Sequence, residues 1–178
     1  MFIYVTYLTG RSETLLQALT WAEIGWIAST TSLPIVLKGV SSPRDAMLAA
    51  AHPAVAGIVV SNHGGRNLDG AIGTADALYH CSRAVREVLA RCETARCEIL
   101  VDGGIRRGID VIRALALGAS ACLVGRPVHW GLTLGGQAGV EKMLQLLRDE
   151  LAISMQLCGC SSVADVTAEH VYDDRQRL

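Results

Sequence analysis

The 178-residue chain carries little charge and no cluster of positive charge. Lysine and arginine together number 16 and aspartate and glutamate 17, so the formal net charge is −1 and only 19% of residues are charged. No run of three or more lysines or arginines occurs. Surfaces that bind nucleic acid or anionic membranes need clustered positive charge. The composition therefore argues against both partners, and any functional basic residue is expected to act singly.

The chain also lacks a disulfide or zinc signature and an apolar run of membrane length. Its six cysteines are irregularly spaced and form no Cys-x-x-Cys pair, which favours reduced thiols and predicts no metal site. The opening MFIYVTYL is far shorter than a membrane span and lacks the basic segment of a signal peptide. The C-terminal RQRL resembles the peroxisomal tripeptide weakly, because Gln176 replaces a small residue. We therefore expect a cytoplasmic or peroxisomal protein.

What the sequence does contain is a repeated alternation of strand and helix signals. Four apolar runs end in glycine and polar or charged residues, as strands do: LPIVLKG, VAGIVVSNHGG, CEILVDGG and ASACLVGRP. Helical spacing separates them at residues 43–51, 74–89 and 108–117, and a further helical pattern covers 140–157. This alternation predicts an α/β fold with a parallel sheet, and the 51% hydrophobic content suits one globular domain.

Each predicted strand ends at residues that can carry chemistry. In chain order they are Lys38; then Ser61, His63 and Arg66; then Asp102, Gly103, Gly104 and Arg106; and finally Gly125 and Arg126. Each has a bland interpretation when taken alone, since a strand-end charge is usually solvated and Asp-Gly-Gly usually forms a turn. The carboxyl ends of parallel strands, however, lie at one edge of a sheet. Four coincident strand ends therefore favour one common site.

The residue types at this predicted site suit a small acid and a phosphorylated cofactor. Glycines after the last two strands let backbone N–H groups approach an anion, and Arg106 and Arg126 add charged donors. The planar guanidinium of Arg66 suits a carboxylate, and Lys38 can stabilise negative charge on an electron-poor ring. His63 lies three residues from Arg66, so it can take a proton from whatever Arg66 holds.

Four sequence blocks within residues 19–171 follow a known pattern: LPIVLKGV, AGIVVSNHGGRNLD, ILVDGGIRRGIDVIRALALGASACLVGRPV and GVEKMLQLLRDELAISMQLCGCSSV. Together they resemble the C-terminal half of the FMN-dependent α-hydroxy acid oxidases and dehydrogenases, the family of glycolate oxidase, lactate oxidase and flavocytochrome b2. The resemblance implies that His63 is the catalytic base, Arg66 the anchor of the substrate carboxylate, and Lys38 the lysine beside the flavin N1/O2 edge. It implies FMN contacts for Ser61, Asp102, Gly103, Gly104, Ile105 and Arg106, and a phosphate grip for Gly125 and Arg126.

The resemblance also implies a TIM-type (β/α)₈ barrel, of which this chain carries strands five to eight and the C-terminal helices. We expect residues 1–18 to form an atypical N-terminal segment, 19–171 the C-terminal half of the dehydrogenase domain, and 172–178 a polar tail. Such barrels need about 250 residues, so we expect a truncated form. The absent half would include the cover of the flavin's other side, the substrate-binding tyrosines and the carboxylate that orients the histidine.

Two functions follow from this comparison. The first is FMN-dependent oxidation of a small (S)-2-hydroxy acid to the 2-oxo acid, which the intact set of site residues favours. The alternative is a catalytically inactive half-barrel remnant with a structural or interaction role. Half a barrel leaves strand edges unpaired at 34–38 and 121–124, so we expect a homo-oligomer or completion by the missing half. It also uncovers the apolar residues predicted to face the barrel interior, which are Ile35, Leu37, Ile58, Val60, Leu100 and Leu123.

Overall fold

The structure is a computed structural model that describes residues 3–6 and 20–172, and it alternates strands with helices throughout. Its elements are β1 (Ile3–Thr6), α1 (Trp21–Thr30), β2 (Ile35–Val40), α2 (Pro43–Ala51), β3 (Val55–Val60), α3 (Thr74–Arg91), β4 (Glu98–Val101), α4 (Gly108–Ala116), β5 (Ala121–Cys122) and α5 (Arg126–Leu157). Short 3₁₀ turns cover His63–Gly65, Val163–Asp165 and Ala168–His170. The five strands are parallel and lie side by side in chain order, as the strand–helix alternation predicts.

Strand β1 covers one edge of the sheet. It pairs in parallel with β2, placing Ile3 opposite Ile35 and Thr6 opposite Lys38. The prediction of an unpaired edge at residues 34–38 is therefore wrong, because the β-prone Ile-Tyr-Val-Thr stretch of the N-terminal segment supplies a partner strand. At the other edge, β5 pairs only with β4 within the described ranges. The prediction of an open edge at 121–124 is confirmed there.

The main hydrophobic core lies between the sheet and the helices, not on the face predicted from the sequence. Helices α2 and α3 pack against four residues that we expected to face the barrel interior, namely Ile35, Leu37, Ile58 and Val60. That expectation is wrong for these four, whereas Leu100 and Leu123 lie outside this core cluster. Parallel strands buried on both faces read as continuous apolar runs, so the sequence pattern does not reveal which residues face the helices.

Helix α1 begins at a capping box that the sequence analysis left unused. The side chain of Thr20 accepts a hydrogen bond from the backbone N–H of Ala22, and Glu23 reaches back to the backbone of Thr20. This Thr-x-x-Glu arrangement satisfies N–H groups that the first helical turn leaves unpaired. The side-chain hydrogen bond from Thr20 lowers the pKa of Glu23. The helix lies between β1 and β2 in the chain and completes a further strand–helix unit.

Helix α5 begins earlier than its predicted start at residue 140. Gly125 precedes it, Pro127 lies in its first turn, and the chain folds back at Gly135 and Gly136, which has a φ of +56°. A glycine is required at that second position because other residues rarely adopt positive φ. The two helical segments then pack closely, since a Cβ on Gly139 would overlap the carbonyl oxygen of Gly131.

The six cysteines are free thiols, in keeping with their irregular spacing. Burial raises the pKa of Cys81, Cys97 and Cys122 to about 11 in each case. Within residues 3–6 and 20–172 no helix is long and apolar enough to cross a membrane, and no three His, Cys, Asp or Glu side chains gather as metal ligands. The C-terminal RQRL and most of the predicted polar tail lie outside the described residues.

Candidate active site

Three neighbouring strands bring one lysine, one serine and one aspartate together at their carboxyl ends. Lys38 lies near the end of β2, Ser61 follows β3 directly, and Asp102 follows β4 directly. The Nζ of Lys38 lies 2.8 Å from Oδ2 of Asp102 and 3.1 Å from Oγ of Ser61. The Lys38 and Asp102 side chains are only 20% and 17% exposed, so water screens this ion pair weakly. The pair spans the sheet across β3.

Ser61 connects this ion pair to the loop that carries His63. Its buried Oγ accepts hydrogen bonds from Nζ of Lys38 and from the backbone N–H of His63, each at 3.1 Å. Those two bonds use both acceptor sites of the hydroxyl, so its hydrogen is left to donate. His63 has a φ of +56°, which is uncommon for a residue other than glycine. The hydrogen bond from His63 to Ser61 helps to hold that backbone conformation.

Side-chain hydrogen bonds fasten the loop after β3 to its neighbours. Oδ1 of Asn62 accepts from the N–H of Gly65 at 3.1 Å, and its Nδ2 donates to the carbonyl oxygen of Ile72, also at 3.1 Å. The hydroxyl of Thr74 donates to the carbonyl oxygen of Gly103 at 3.1 Å and so joins the start of α3 to the loop after β4. Hydrogen bonds from the protein's own side chains therefore hold the loops after β3 and β4 in place.

Arg66 lies directly against the imidazole of His63. Its Nη2 is 2.8 Å from Nε2 of the ring, and its Nε donates to the carbonyl oxygen of His63 at 3.2 Å. A guanidinium can only donate, so Nε2 accepts and the proton of the neutral ring lies on Nδ1. His63 is half-buried and Arg66 is exposed, which leaves both within reach of a small ligand.

One cavity of about 510 Å³ collects nearly all of the predicted site residues. Its walls include Lys38, His63, Arg66, Asp102, Gly103, Gly104, Ile105, Arg106, Gly125 and Arg126, while Ser61 lies buried and bonded to Lys38. The volume falls within the range of roughly 300–1,000 Å³ for small-molecule sites. The structure thus brings together the ends of β2 to β5 as the sequence predicts, and the role of each residue stays a prediction.

Sequence reasoning missed several residues of the same cavity. Its walls also include Leu123, Val124, Pro127, His129 and Trp130. Pro127, His129 and Trp130 lie at the beginning of α5, which the sequence pattern predicted to start only at residue 140. The Gly-Arg-Pro run at residues 125–127 could have indicated the earlier start of α5. Proline is favoured in the first turn of a helix, and the chain changes direction just before it.

The loop after β4 is shaped to hold an anion. Gly103 and Gly104 have φ values of +89° and +78°, and the N–H groups of residues 103–105 meet no acceptor in the part of the chain that the structure describes. Consecutive free N–H groups in such a conformation form an anion-binding concavity. The N–H of Arg106 differs, since it donates to Oδ2 of Asp110 at 3.2 Å, so Arg106 would contribute through its side chain.

The polar groups of the cavity are compatible with the parts of FMN. Oδ1 of Asp102 is buried and has no hydrogen-bond partner among the described residues, which is costly unless a donor such as a ligand hydroxyl meets it. A Cβ at Gly104 or Gly125 would meet nothing within 4 Å, so these glycines border open space. Arg106 and Arg126 supply the positive charge that a phosphate needs. The site therefore offers places for a phosphate, a polyol and an electron-poor ring.

Fold and site together define a parallel βα protein with a cavity suited to an anionic cofactor at the carboxyl ends of its strands. The sequence profile of the family described as FMN-dependent dehydrogenase matches residues 6–173. The chain is 48% identical over 161 residues to L-lactate oxidase of Nostoc sp., covering 90% of this chain and 42% of that protein. It is 43% identical over 173 residues to glycolate oxidase 1 of Oryza sativa subsp. indica, covering 97% and 44%.

Solved structures agree with these relatives. Mandelate oxidase with benzoyl-formic acid superposes with a TM-score of 0.75 at 47% identity, over 83% of this chain and 42% of that one. The chain belongs to the FMN-dependent dehydrogenase family, whose cofactor is FMN. Its fold is part of a TIM-type (β/α)₈ barrel, as the sequence resemblance implied. The chain spans less than half the length of the relatives it matches.

Replacing Ser61 by alanine tests whether the serine joins the ion pair to the histidine loop. We expect Ser61→Ala to destabilise the chain by about 1–3 kcal/mol, because the half-buried N–H of His63 and the Nζ of Lys38 both lose an acceptor. Ser82→Ala is the matched control, since Ser82 is equally buried but its hydroxyl only supplements the bonding of helix α3. Urea unfolding of both variants provides the measurement, and equal effects would contradict this role of Ser61.

Proposed function

We propose that this chain carries the FMN-binding and acid–base half of an enzyme that oxidises a small (S)-2-hydroxy acid to the 2-oxo acid. One observation supports this most strongly. The Lys38–Asp102 ion pair, the His63–Arg66 pair and the glycine loop after β4 all border one cavity. Each group matches a different part of the reaction that the family resemblance implies. The related proteins named above are L-lactate, glycolate and mandelate oxidases, whose named substrates share the 2-hydroxy acid group.

The cofactor assignments extend over the ends of four strands. In this proposal Gly125, Arg126 and the side chain of Arg106 hold the phosphate, and the amides of residues 103–105 assist them. The free oxygen of Asp102 accepts from the polyol, and the hydroxyl of Ser61 donates to the ring system. Lys38 stabilises negative charge at the N1/O2 edge. Bound FMN would supply the two-electron acceptor for the oxidation.

The substrate assignments concern two residues in one turn. The guanidinium of Arg66 grips the carboxylate through two parallel hydrogen bonds, which also orients the 2-hydroxyl group. Nε2 of His63 then takes the hydroxyl proton, which its neutral, Nδ1-protonated form permits. Bound FMN would accept the carbon-bound hydrogen together with its electron pair as hydride, so the 2-hydroxyl group would become the 2-oxo group while His63 holds the hydroxyl proton and becomes positively charged.

A non-catalytic role for the isolated half-barrel stays the alternative, and one observation favours it. Nδ1 of His63 has no acceptor within the described part of the chain. A positively charged imidazole is stabilised by a carboxylate at that nitrogen, and its absence makes the histidine a poorer base. On this account residues 19–171 form the half-domain, segment 1–18 contributes the edge strand β1 to its sheet, 172–178 is a polar tail, and full activity needs a further chain segment.

The exposed surfaces of this chain favour association with another chain. The β5 edge lacks a second neighbour within the described residues, and α5 exposes large apolar side chains, among them Leu134 at 87% and Leu157 at 84%. Open edges and apolar patches of this kind favour pairing with another chain. We propose a homo-oligomer, or a complex with a chain that supplies the rest of the barrel. A peroxisomal location is proposed by analogy, since one rice relative is named a peroxisomal (S)-2-hydroxy-acid oxidase.

The roles of His63 and Arg66 predict different kinetic losses. We expect His63→Ala to slow substrate-driven flavin reduction by about 10²–10⁴, the usual contribution of a general base. Arg66→Lys should mainly raise the KM, because lysine cannot form the paired hydrogen bonds. His80→Ala, an exposed histidine on α3, is the control. Stopped-flow reduction of bound FMN, in protein completed by the missing half of the barrel, measures all three variants, and near-normal reduction by His63→Ala would exclude it as the base.

The proposed phosphate site predicts discrimination between cofactor forms. We expect FMN to bind much more tightly than riboflavin, because only FMN carries the dianionic phosphate. Arg126→Ala should weaken FMN binding while leaving riboflavin binding and the preference among hydroxy acids unchanged. Fluorescence titration of the chain with each flavin gives the two dissociation constants. Identical curves for FMN and riboflavin would remove the phosphate assignment.

The open barrel predicts that the 178-residue chain does not remain an active monomer. We expect sedimentation to show a dimer or larger species whose flavin reduction by glycolate or lactate is weak or absent. Leu134→Asp should shift the distribution toward monomer, whereas Leu68→Asp, on an exposed loop outside α5, should not. A stable monomer that reduces bound FMN with either substrate would contradict this prediction, because it would show that the 178-residue chain is sufficient for activity by itself.

A further inference from the structure

The contact between Arg66 and His63 has a role of its own, apart from substrate binding. The guanidinium reaches two acceptors of the same residue, Nε2 of the ring at 2.8 Å and the backbone carbonyl oxygen at 3.2 Å. Arg66 directly follows the short turn His63–Gly65, whose three residues all have positive φ. This turn reverses the chain within three residues, and the guanidinium of Arg66 lies against the imidazole of His63 as a result.

The geometry points to Arg66 as a positioning residue for His63. We propose that Arg66 holds the imidazole in its Nδ1-protonated form and covers the Nε2 lone pair until a carboxylate ligand draws the guanidinium away. The inference rests on the proposed function only in naming His63 as the base. The claim that Arg66 fixes the tautomer of His63 applies to this chain even when no cofactor is bound.

No other described group sets the tautomer. His63 makes three hydrogen bonds within the described residues, and the other one joins its backbone N–H to Ser61. Its Nδ1 meets no acceptor there, so no bond at Nδ1 selects the form that carries the proton on that nitrogen. The donor at Nε2 does so instead, because a guanidinium cannot accept a proton from the ring. Losing Arg66 would therefore free the ring to exchange its proton between both nitrogens.

A 2-hydroxy acid carries both groups needed to exchange partners. Its carboxylate accepts two charge-assisted hydrogen bonds from the guanidinium, which are stronger than the single bond to a neutral imidazole. Its hydroxyl then donates to the Nε2 that Arg66 has left. A 2-hydroxy amide has the same hydroxyl but no negative charge to attract Arg66. We therefore expect 2-hydroxy acids to be preferred over 2-hydroxy amides for two reasons. Arg66 binds their carboxylate, and only a carboxylate uncovers Nε2 of His63.

Nitrogen-15 NMR of the histidine rings in the flavin-free, full-length chain tests the tautomer. We expect His63, assigned by difference with His63→Gln, to show a protonated Nδ1 and an unprotonated, hydrogen-bonded Nε2 in the wild type. Arg66→Met should shift the ring toward the Nε2-protonated form. Arg106→Met is the matched control, since the Arg106 side chain lines the same cavity and carries the same charge but makes no hydrogen bond to the His63 turn among the described residues. It should leave the His63 pattern unchanged.

Chemical modification provides a second measurement that holds even where a variant folds poorly. Diethyl pyrocarbonate acylates unprotonated imidazole nitrogen, so a covered Nε2 reacts slowly. We expect His63 in the wild type to react about tenfold more slowly than exposed His80, the factor that one hydrogen bond to a charged group supplies. An Nε2-protonated His63, or a modification rate equal to that of His80, would overturn the proposal.

Ligand addition tests the exchange of partners. With the same flavin-free chain, L-lactate should shift the Nε2 resonance of His63 and the Nε resonance of Arg66, and L-lactamide should shift neither. Equal responses to the two ligands, or no response to L-lactate, would overturn the exchange. Because no flavin is present and no turnover is measured, these results are independent of whether the complete protein oxidises hydroxy acids.

Discussion

The ion pair between Lys38 and Asp102 is the interaction on which the rest of the site depends. It joins β2 to β4 across the end of β3, and Ser61 at that end accepts from the same lysine. The pair is largely withdrawn from water, so removing one partner would leave the other charge poorly solvated, which is strongly unfavourable. Three strand ends are thereby fixed relative to one another. The loops that carry the histidine and the glycines start from these fixed positions.

Those loops adopt backbone conformations that need such support. Positive φ values occur at His63, Gly64 and Gly65 after β3, and at Gly103 and Gly104 after β4. Such conformations suit glycine and are uncommon for histidine. Side-chain bonds from Ser61, Asn62 and Thr74 hold them in place. These hydrogen bonds therefore hold the imidazole of His63 and the free N–H groups of residues 103–105 at the wall of one cavity.

The convergence of the site could be predicted from sequence because it follows from topology. Glycine and charged residues close each apolar run, and parallel strands end on one side, so Lys38, Asp102 and Arg126 had to approach one another. Residue types alone also indicated an anion site and a carboxylate site. The resemblance to the FMN-dependent family added the identity of the cofactor, which charge and spacing do not specify.

Other features depend on tertiary contacts that local patterns do not encode. Strand β1 gains its place from pairing with β2, and its short run showed no partner in the sequence. Which residues face the helices, such as Ile58 and Val60, is invisible when both faces of a strand are apolar. The early start of α5 was signalled by Pro127, but the helical pattern is interrupted at Gly135 and Gly136. The bond between Arg66 and His63 depends on the positive-φ turn that joins the two residues.

The central claim is that these strand ends form one FMN site within this chain. Equilibrium dialysis of the purified 178-residue chain against FMN, with the bound flavin quantified from its absorbance spectrum, tests that claim most directly. The account predicts saturation at one FMN per chain, and loss of binding when Lys38 and Asp102 are replaced together by methionine and asparagine. Failure of the unaltered, folded chain to retain FMN, or equal retention by the double variant, would contradict it.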